Sequence, residues 1–253
     1  MKLLTTTILA ALAFAGTASA ASLDEIREAG VFRIGTEGTY APFTYHDSTG
    51  KLVGFDVEIG REVAERLGVE PQFVEGKWDG LIAGLGADRY DAVINQVGIT
   101  PERQERFDFS DPYIVSKAAL IVRGDNDEIT SFEDLEGKRA AQSLTSNYGK
   151  LAEEAGAELV ATDGFDQSIA LVVNGRADAT INDSLSFLDF KKQQPDADVK
   201  IAAVRPEATA SGVIIEQDNP ELLEAINAAL ADIKADGTYQ EISDKYFGED
   251  VSK

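Results

Sequence analysis

Apolar residues fall four apart at Ile59, Val63 and Leu67, the spacing of one face of an amphipathic helix. Asp56 is placed to cap that helix and Gly68 to end it. Pro220–Ala235 carries the same periodicity more strongly and closes at Asp236-Gly237. Shorter helices are predicted over Leu23–Ala29 before Gly30, over Phe132–Leu135, from the junction at residues 143–147 to Gly156, and over residues 239–247. Between them lie short β-branched runs that read as strands: residues 31–35, 71–75, Ile114–Arg123, 159–162, 199–204 and 212–216. Arg139–Gln142 leads into the helix junction at Ser143. Residues 36–45 read as a loop carrying Tyr40, Phe43 and Tyr45, and residues 47–50 as a turn. Strands alternating with helices define an α/β protein.

One pattern occurs twice. Arg-x-Asp-Ala-x-Ile-Asn spans residues 89–95 and again 176–182. Each copy follows an apolar helical stretch, at 81–85 and 169–173, and is followed by a polar residue, Gln96 or Asp183. A helix, a turn and a short buried strand are therefore predicted in each half. In open α/β sheets ligands bind beyond the carboxyl ends of the strands, so two such ends could face each other across a cleft. The plain alternative is that Asp-Ala is a common strand entry and the likeness is chance. A second half starts near Ile114, and the C-terminal helices could pack back on the first. The expected division is a discontinuous lobe of residues 21–114 and 209–253 with a second lobe of 115–208.

Composition narrows the function. Residues 1–20 have a positive start at Lys2, an apolar run and a small-residue cleavage pattern at Ala18-Ser19-Ala20, which reads as a signal peptide. That run is too short for a confident span of roughly 20 residues, so an exported, soluble, periplasmic protein of about 233 residues is expected. The formal charge of −22 argues against nucleic acid or anionic lipid as partners. With no cysteine, disulfides and thiol catalysis are excluded. His46 is the only histidine and sits in a polar turn, the Gly84-x-Gly86 pair lacks the rest of a dinucleotide fingerprint, and Asp125-Asn126-Asp127 lacks the rest of a calcium loop. No metal or cofactor is expected.

The remaining candidate chemistry is polar recognition. Arg103 follows the first repeat strand, where a guanidinium can hold a carboxylate with two parallel bonds, helped by the backbone at Gly98 and Thr100. Read alone, the plainer reading prevails, an exposed arginine among Glu102, Glu105 and Arg106. Ser143, Leu144, Thr145 and Ser146 open a helix, which suits an anion or merely an N-cap. Asp183 after the second repeat strand could pair with an ammonium or cap the next segment. Tyr40 and Trp78 offer aromatic walls, while Phe43 reads as core. Together these are a carboxylate receptor, an ammonium receptor and an aromatic wall, which is what a free amino acid requires. The two asparagines make the copies alike; the residues after them carry the opposite charges.

Gly54-Phe55-Asp56-Val57-Glu58-Ile59 resembles the signature of family 3 solute-binding proteins, which serve bacterial ABC transporters for polar amino acids. The resemblance covers nearly all the chain after residue 20. Segments 35–43, 95–100, 142–149 and 177–183 are similar to those of cystine-binding members. The resemblance implies a two-lobed periplasmic-binding-protein fold of type II, with two hinge strands near Ile114-Val115 and Ala208–Ala210 and the ligand cleft between the lobes. It implies Arg103 for the α-carboxylate with Thr145, Asp183 for the α-ammonium, and Tyr40 and Trp78 for the wall. Gly98 stands where many relatives carry a hydroxyl, so that donor is missing. Glu37 or Gln96 is expected to reach the second zwitterionic end of cystine, although Glu37 also reads as a plain surface carboxylate. The implied partners are an amino acid and a membrane permease, with the protein acting as a monomer. The same fold hosts exported dehydratases, and an enzyme would need a general acid, for which Glu37 and Asp183 are the candidates.

Overall fold

The computed structural model describes residues 21–253. The signal peptide read over residues 1–20 lies outside the described residues. The strands, in chain order, are β1 (Val31–Thr36), β2 (Thr39–Tyr40), β3 (Thr44–His46), β4 (Leu52–Val53), β5 (Glu70–Glu75), β6 (Ala92–Val93), β7 (Phe107–Phe109), β8 (Ile114–Arg123), β9 (Arg139–Gln142), β10 (Glu158–Ala161), β11 (Ala179–Asp183), β12 (Val199–Ser211) and β13 (Ile214–Glu216). They build two five-stranded sheets, ordered β5-β1-β6-β13-β7 and β10-β9-β11-β8-β12, each the core of one lobe.

The two sheets share one plan. β1 pairs with β5 and β6 in parallel, and β13 joins antiparallel between β6 and β7. In the second sheet β9 pairs with β10 and β11 in parallel, and β8 joins antiparallel between β11 and β12. The third strand of each sheet comes from the repeated heptapeptide. The aspartate of each copy does the same work. The Asp91 carboxylate accepts the Arg33 backbone N–H at 2.7 Å and pairs with its guanidinium at 2.6 Å. The Asp178 carboxylate does likewise with Arg139, at 2.8 Å for both. The likeness is therefore structural and not chance.

The chain crosses between the sheets twice, into β8 and out of β12. There Ile114 to Lys117 pair with Ser211 to Ala208 in an antiparallel ribbon. Register shifts between Ile201 and Ala203 and between Val204 and Ala208 bend β12. The strand expected at 199–204 thus continues to Ser211, while the strand expected at 212–216 forms separately as β13 in the other sheet.

Other departures have local causes. The loop expected over residues 36–45 contains β2 and β3, which with β4 form a small meander. The helix Phe55–Leu67 is preceded by Gly54 at its N-cap, not by Asp56. Gly54 has φ 136°, and a Cβ there would lie 2.1 Å from the Phe43 carbonyl oxygen, so only glycine fits. Asp56 is inside the first turn with its carboxylate turned inward. The helix expected at 81–85 is one turn at Trp78–Leu81 followed by a 3₁₀ turn at Ile82–Gly84. A helix not anticipated, Ser184–Gln193, follows β11 and takes Asp183 as its N-cap. Among the described residues no helix is long and apolar enough to cross a membrane.

Candidate functional site

The loops after β1, β6, β9 and β11 converge between the two sheets. A cavity there, partly open to solvent, is lined by Glu37, Tyr40, Trp78, Gln96, Gln142, Ser143, Ser146, Asn147, Tyr148, Gly164, Phe165, Ser168 and Asn182. This is the strand-end position expected for a ligand in an α/β sheet. An adjoining groove, sharing Trp78, Ser146 and Asn147 with the cavity, takes Thr100, Arg103, Leu144 and Thr145 into its wall.

Of the residues singled out in the sequence, the cavity thus gathers Glu37, Tyr40, Trp78, Gln96, Ser143 and Ser146. Asp183 lies behind the cavity wall beside Tyr148, whose hydroxyl is 3.5 Å from it. At Gly98 a Cβ would stand 3.7 Å from both the Arg103 guanidinium and the Asn147 carboxamide. Leu144 is exposed, and both donors of Thr145 are taken by Asp79, the N–H at 3.0 Å and the hydroxyl at 2.9 Å. Phe43 is wholly buried, as its core reading had it, and His46 is a surface side chain near Glu75.

The electrostatics are those of groups awaiting partners. Arg103 donates to the Gly98 carbonyl at 2.8 Å and lies over the Trp78 ring at 5.4 Å. No carboxylate pairs with it among the described residues, and burial pushes its guanidinium down to about 10. Asp183 is buried, and burial pushes its carboxyl up to about 6 against hydrogen bonds from Ser116, Leu185 and Tyr148. Its partners are all neutral. Glu37 is buried too, and desolvation lifts it to about 7, although the Asn95 carboxamide donates to it at 2.6 Å. The Trp78 indole N–H and both polar atoms of the Gln96 carboxamide have no partner among the described residues. Unpaired buried donors and acceptors are costly, so the cavity is built for a polar guest.

Gln142, Asn147, Tyr148, Gly164, Phe165, Ser168 and Asn182 were not named as site residues from the sequence. Asn182 is the instructive one. Asn95 organises its own lobe, accepting the Glu37 N–H at 2.8 Å. Asn182 instead accepts the Tyr40 hydroxyl at 2.7 Å across the cleft. So the second asparagine also distinguishes the copies. Further bonds span the lobes: Ser186 to the Ala41 carbonyl at 3.0 Å, Lys77 to Asp163 at 2.6 Å and Lys150 to Glu102 at 2.6 Å.

Known proteins share this architecture. A sequence model of bacterial extracellular solute-binding proteins, family 3, matches residues 32–249. The L-cystine-binding protein TcyA of Bacillus subtilis is 46% identical over 229 residues, 90% of this chain and 85% of that one. The L-cystine solute receptor of Neisseria gonorrhoeae, in its unliganded open conformation, is 48% identical with a TM-score of 0.61, over 92% of this chain and 100% of that one. An ancestral arginine-binding protein bound to arginine is 40% identical with a TM-score of 0.82, over 87% and 99%. The better superposition at lower identity on the ligand-bound structure agrees with the bonds across the cleft: the lobes stand closed.

Proposed function

The chain belongs to the bacterial extracellular solute-binding proteins of family 3, and we propose that it captures L-cystine and delivers it to an ABC importer. One observation carries the amino-acid reading. Among the described residues, a partly buried guanidinium without a carboxylate partner, Arg103, and a buried carboxylate with only neutral hydrogen-bond partners, Asp183, come from different lobes at one cleft. Their charges complement the α-carboxylate and α-ammonium of a free amino acid. The missing hydroxyl at Gly98 leaves its backbone and the Thr100–Arg103 turn to complete the carboxylate grip.

L-cystine is favoured over a one-ended amino acid by the deeper part of the cavity. Glu37 and Gln96, which line the cavity while Arg103 and Asp183 do not, bring a second carboxyl and an unpartnered carboxamide, matched to a second ammonium and carboxylate. The two cystine-binding relatives support the same choice. Tyr40 and Trp78 would wall the disulfide between the two ends.

Capture follows from closure. The lobes, residues 21–114 with 209–253 and residues 115–208, turn about the β8–β12 ribbon as ligand contacts to both favour the closed state. The closed monomer then docks on its permease. An exported enzyme of dehydratase type is a second reading, favoured only by Glu37, whose raised carboxyl could act as a general acid. New product after incubation with prephenate or arogenate would establish it.

Isothermal titration with L-cystine, L-cysteine, L-glutamine and L-arginine tests the main reading. Heat is expected with L-cystine; heat with another amino acid alone sinks the cystine assignment. Arg103→Ala is expected to abolish binding of every amino acid. Retained micromolar affinity would place the carboxylate elsewhere.

A further inference from the structure

Asp56 belongs to the segment that marks the family, yet it neither caps its helix nor lines the cavity. Its side chain is wholly buried. One carboxylate oxygen accepts the Gln96 backbone N–H at 2.6 Å, and the other has no partner among the described residues. The Tyr113 hydroxyl stands 3.3 Å from the same N–H, at the residue that leads into β8.

Gln96 needs such a hold. Its φ of 52° is left-handed, a region that a residue with a Cβ rarely adopts without outside constraint. The turn directs the side chain into the cavity, where its oxygen and nitrogen are both buried and both unpartnered. A carboxamide with a free donor and a free acceptor suits a group that offers both an ammonium and a carboxylate. Gln96 lies just beyond β6, so nothing else in its own strand holds the turn. Asp56 reaches it from the helix Phe55–Leu67, forty positions earlier in the chain.

We propose that Asp56 is a positioning residue: its carboxylate locks the left-handed turn at Gln96, and so aims the Gln96 carboxamide at the distal polar end of the bound amino acid. Asp56 touches no ligand itself and sets selectivity through its neighbour. This rests on the amino-acid reading of the cleft.

The test is selectivity, because a role confined to folding would weaken all ligands alike. L-cystine and S-methyl-L-cysteine share the near end and differ in the distal zwitterion. Titration of wild type, Asp56→Ala, Gln96→Ala and the double variant measures the preference of each for L-cystine. Asp56→Ala is expected to lower that preference at least tenfold through L-cystine alone. Gln96→Ala is expected to do the same, and the double variant to do no more. Asp56→Asn, which keeps an acceptor for the Gln96 N–H, is expected to restore most of the preference. Should Asp56→Ala not fold, Asp56→Leu fills its volume without an acceptor and replaces it. Equal weakening of both ligands, or additive losses in the double variant, would overturn the proposal while leaving L-cystine capture intact. A wild type that binds no amino acid overturns the reading of the cleft and this inference with it.

Discussion

At the scale of single residues the site is a set of charges held in reserve. Burial lifts the Asp183 carboxyl from its ordinary value near 3.8 to about 6, and its hydrogen-bond partners are all neutral. Two consequences of opposite sign result. Without ligand, the folded state binds the extra proton between those values, so Asp183 adds stability at low pH that is lost as pH rises toward 6. With an amino acid, the ammonium favours the ionised form, so affinity weakens as pH falls below about 6, by roughly tenfold per unit. Glu37 and Asp56 are both raised to about 7, so titrations from pH 5 to 8 belong in a background with Glu37→Gln and Asp56→Asn. A flat affinity profile there would remove Asp183 from the ammonium site. Much of this was readable in the sequence: Arg103 and Asp183 stood out because each comes after one copy of the repeat. Tyr148 and Phe165 did not, because their elements were recognised but not the face each turns to the cleft. Gln96 was seen, but the left-handed turn that aims it was not, since it depends on Asp56, distant in the chain.

Elements were legible where local chemistry closes them. Glycine or proline bounds the helices Leu23–Ala29 and Pro220–Ala235, and both ends fell where expected. The helix Ser184–Gln193 was hidden because its pattern is blurred: Leu188 is 58% exposed, and the helix runs into Lys191-Lys192. β12 was cut short in the sequence because Pro206, which cannot donate to a ladder, sits in its interior. The structure tolerates it at the register shift between Val204 and Ala208. The repeat was legible because each copy solves one problem, tying the third strand to the parallel neighbour before it. The two ties differ in burial, with 2% of the Asp91 side chain exposed against 32% for Asp178. Breaking a charge pair with one buried partner costs several times more than breaking a pair exposed on both sides. Asp91→Ala is therefore expected to lower unfolding free energy about threefold more than Asp178→Ala in urea titrations. Equal losses would mean the two copies are not constrained as their burial implies.

At the scale of the whole molecule, closure brings together two halves of a chain whose formal charge is −22. Self-repulsion of that kind opposes closure and is relieved by salt. Against it stand contacts at the rim of the cleft: Lys77 with Asp163, Lys150 with Glu102, and Asp79 with the Thr145 amide and hydroxyl. Each ion pair is exposed, so its contribution is small, and larger at low salt than at high. They form only when the lobes meet, so their effect falls on opening and hence on ligand release, while capture by the open form is untouched. Replacing both lysines, Lys77→Ala with Lys150→Ala, is expected to speed ligand dissociation by up to about tenfold at low salt, the equivalent of about 1.4 kcal/mol. The association rate should stay within twofold of wild type. Near 1 M salt, where the screening length falls to about 3 Å, the two proteins should release ligand at the same rate. Stopped-flow release measured across that range separates the causes. A difference that persists at high salt would show that the lysines act through packing and not charge; no difference at any salt would show that neither ion pair helps to hold the cleft shut.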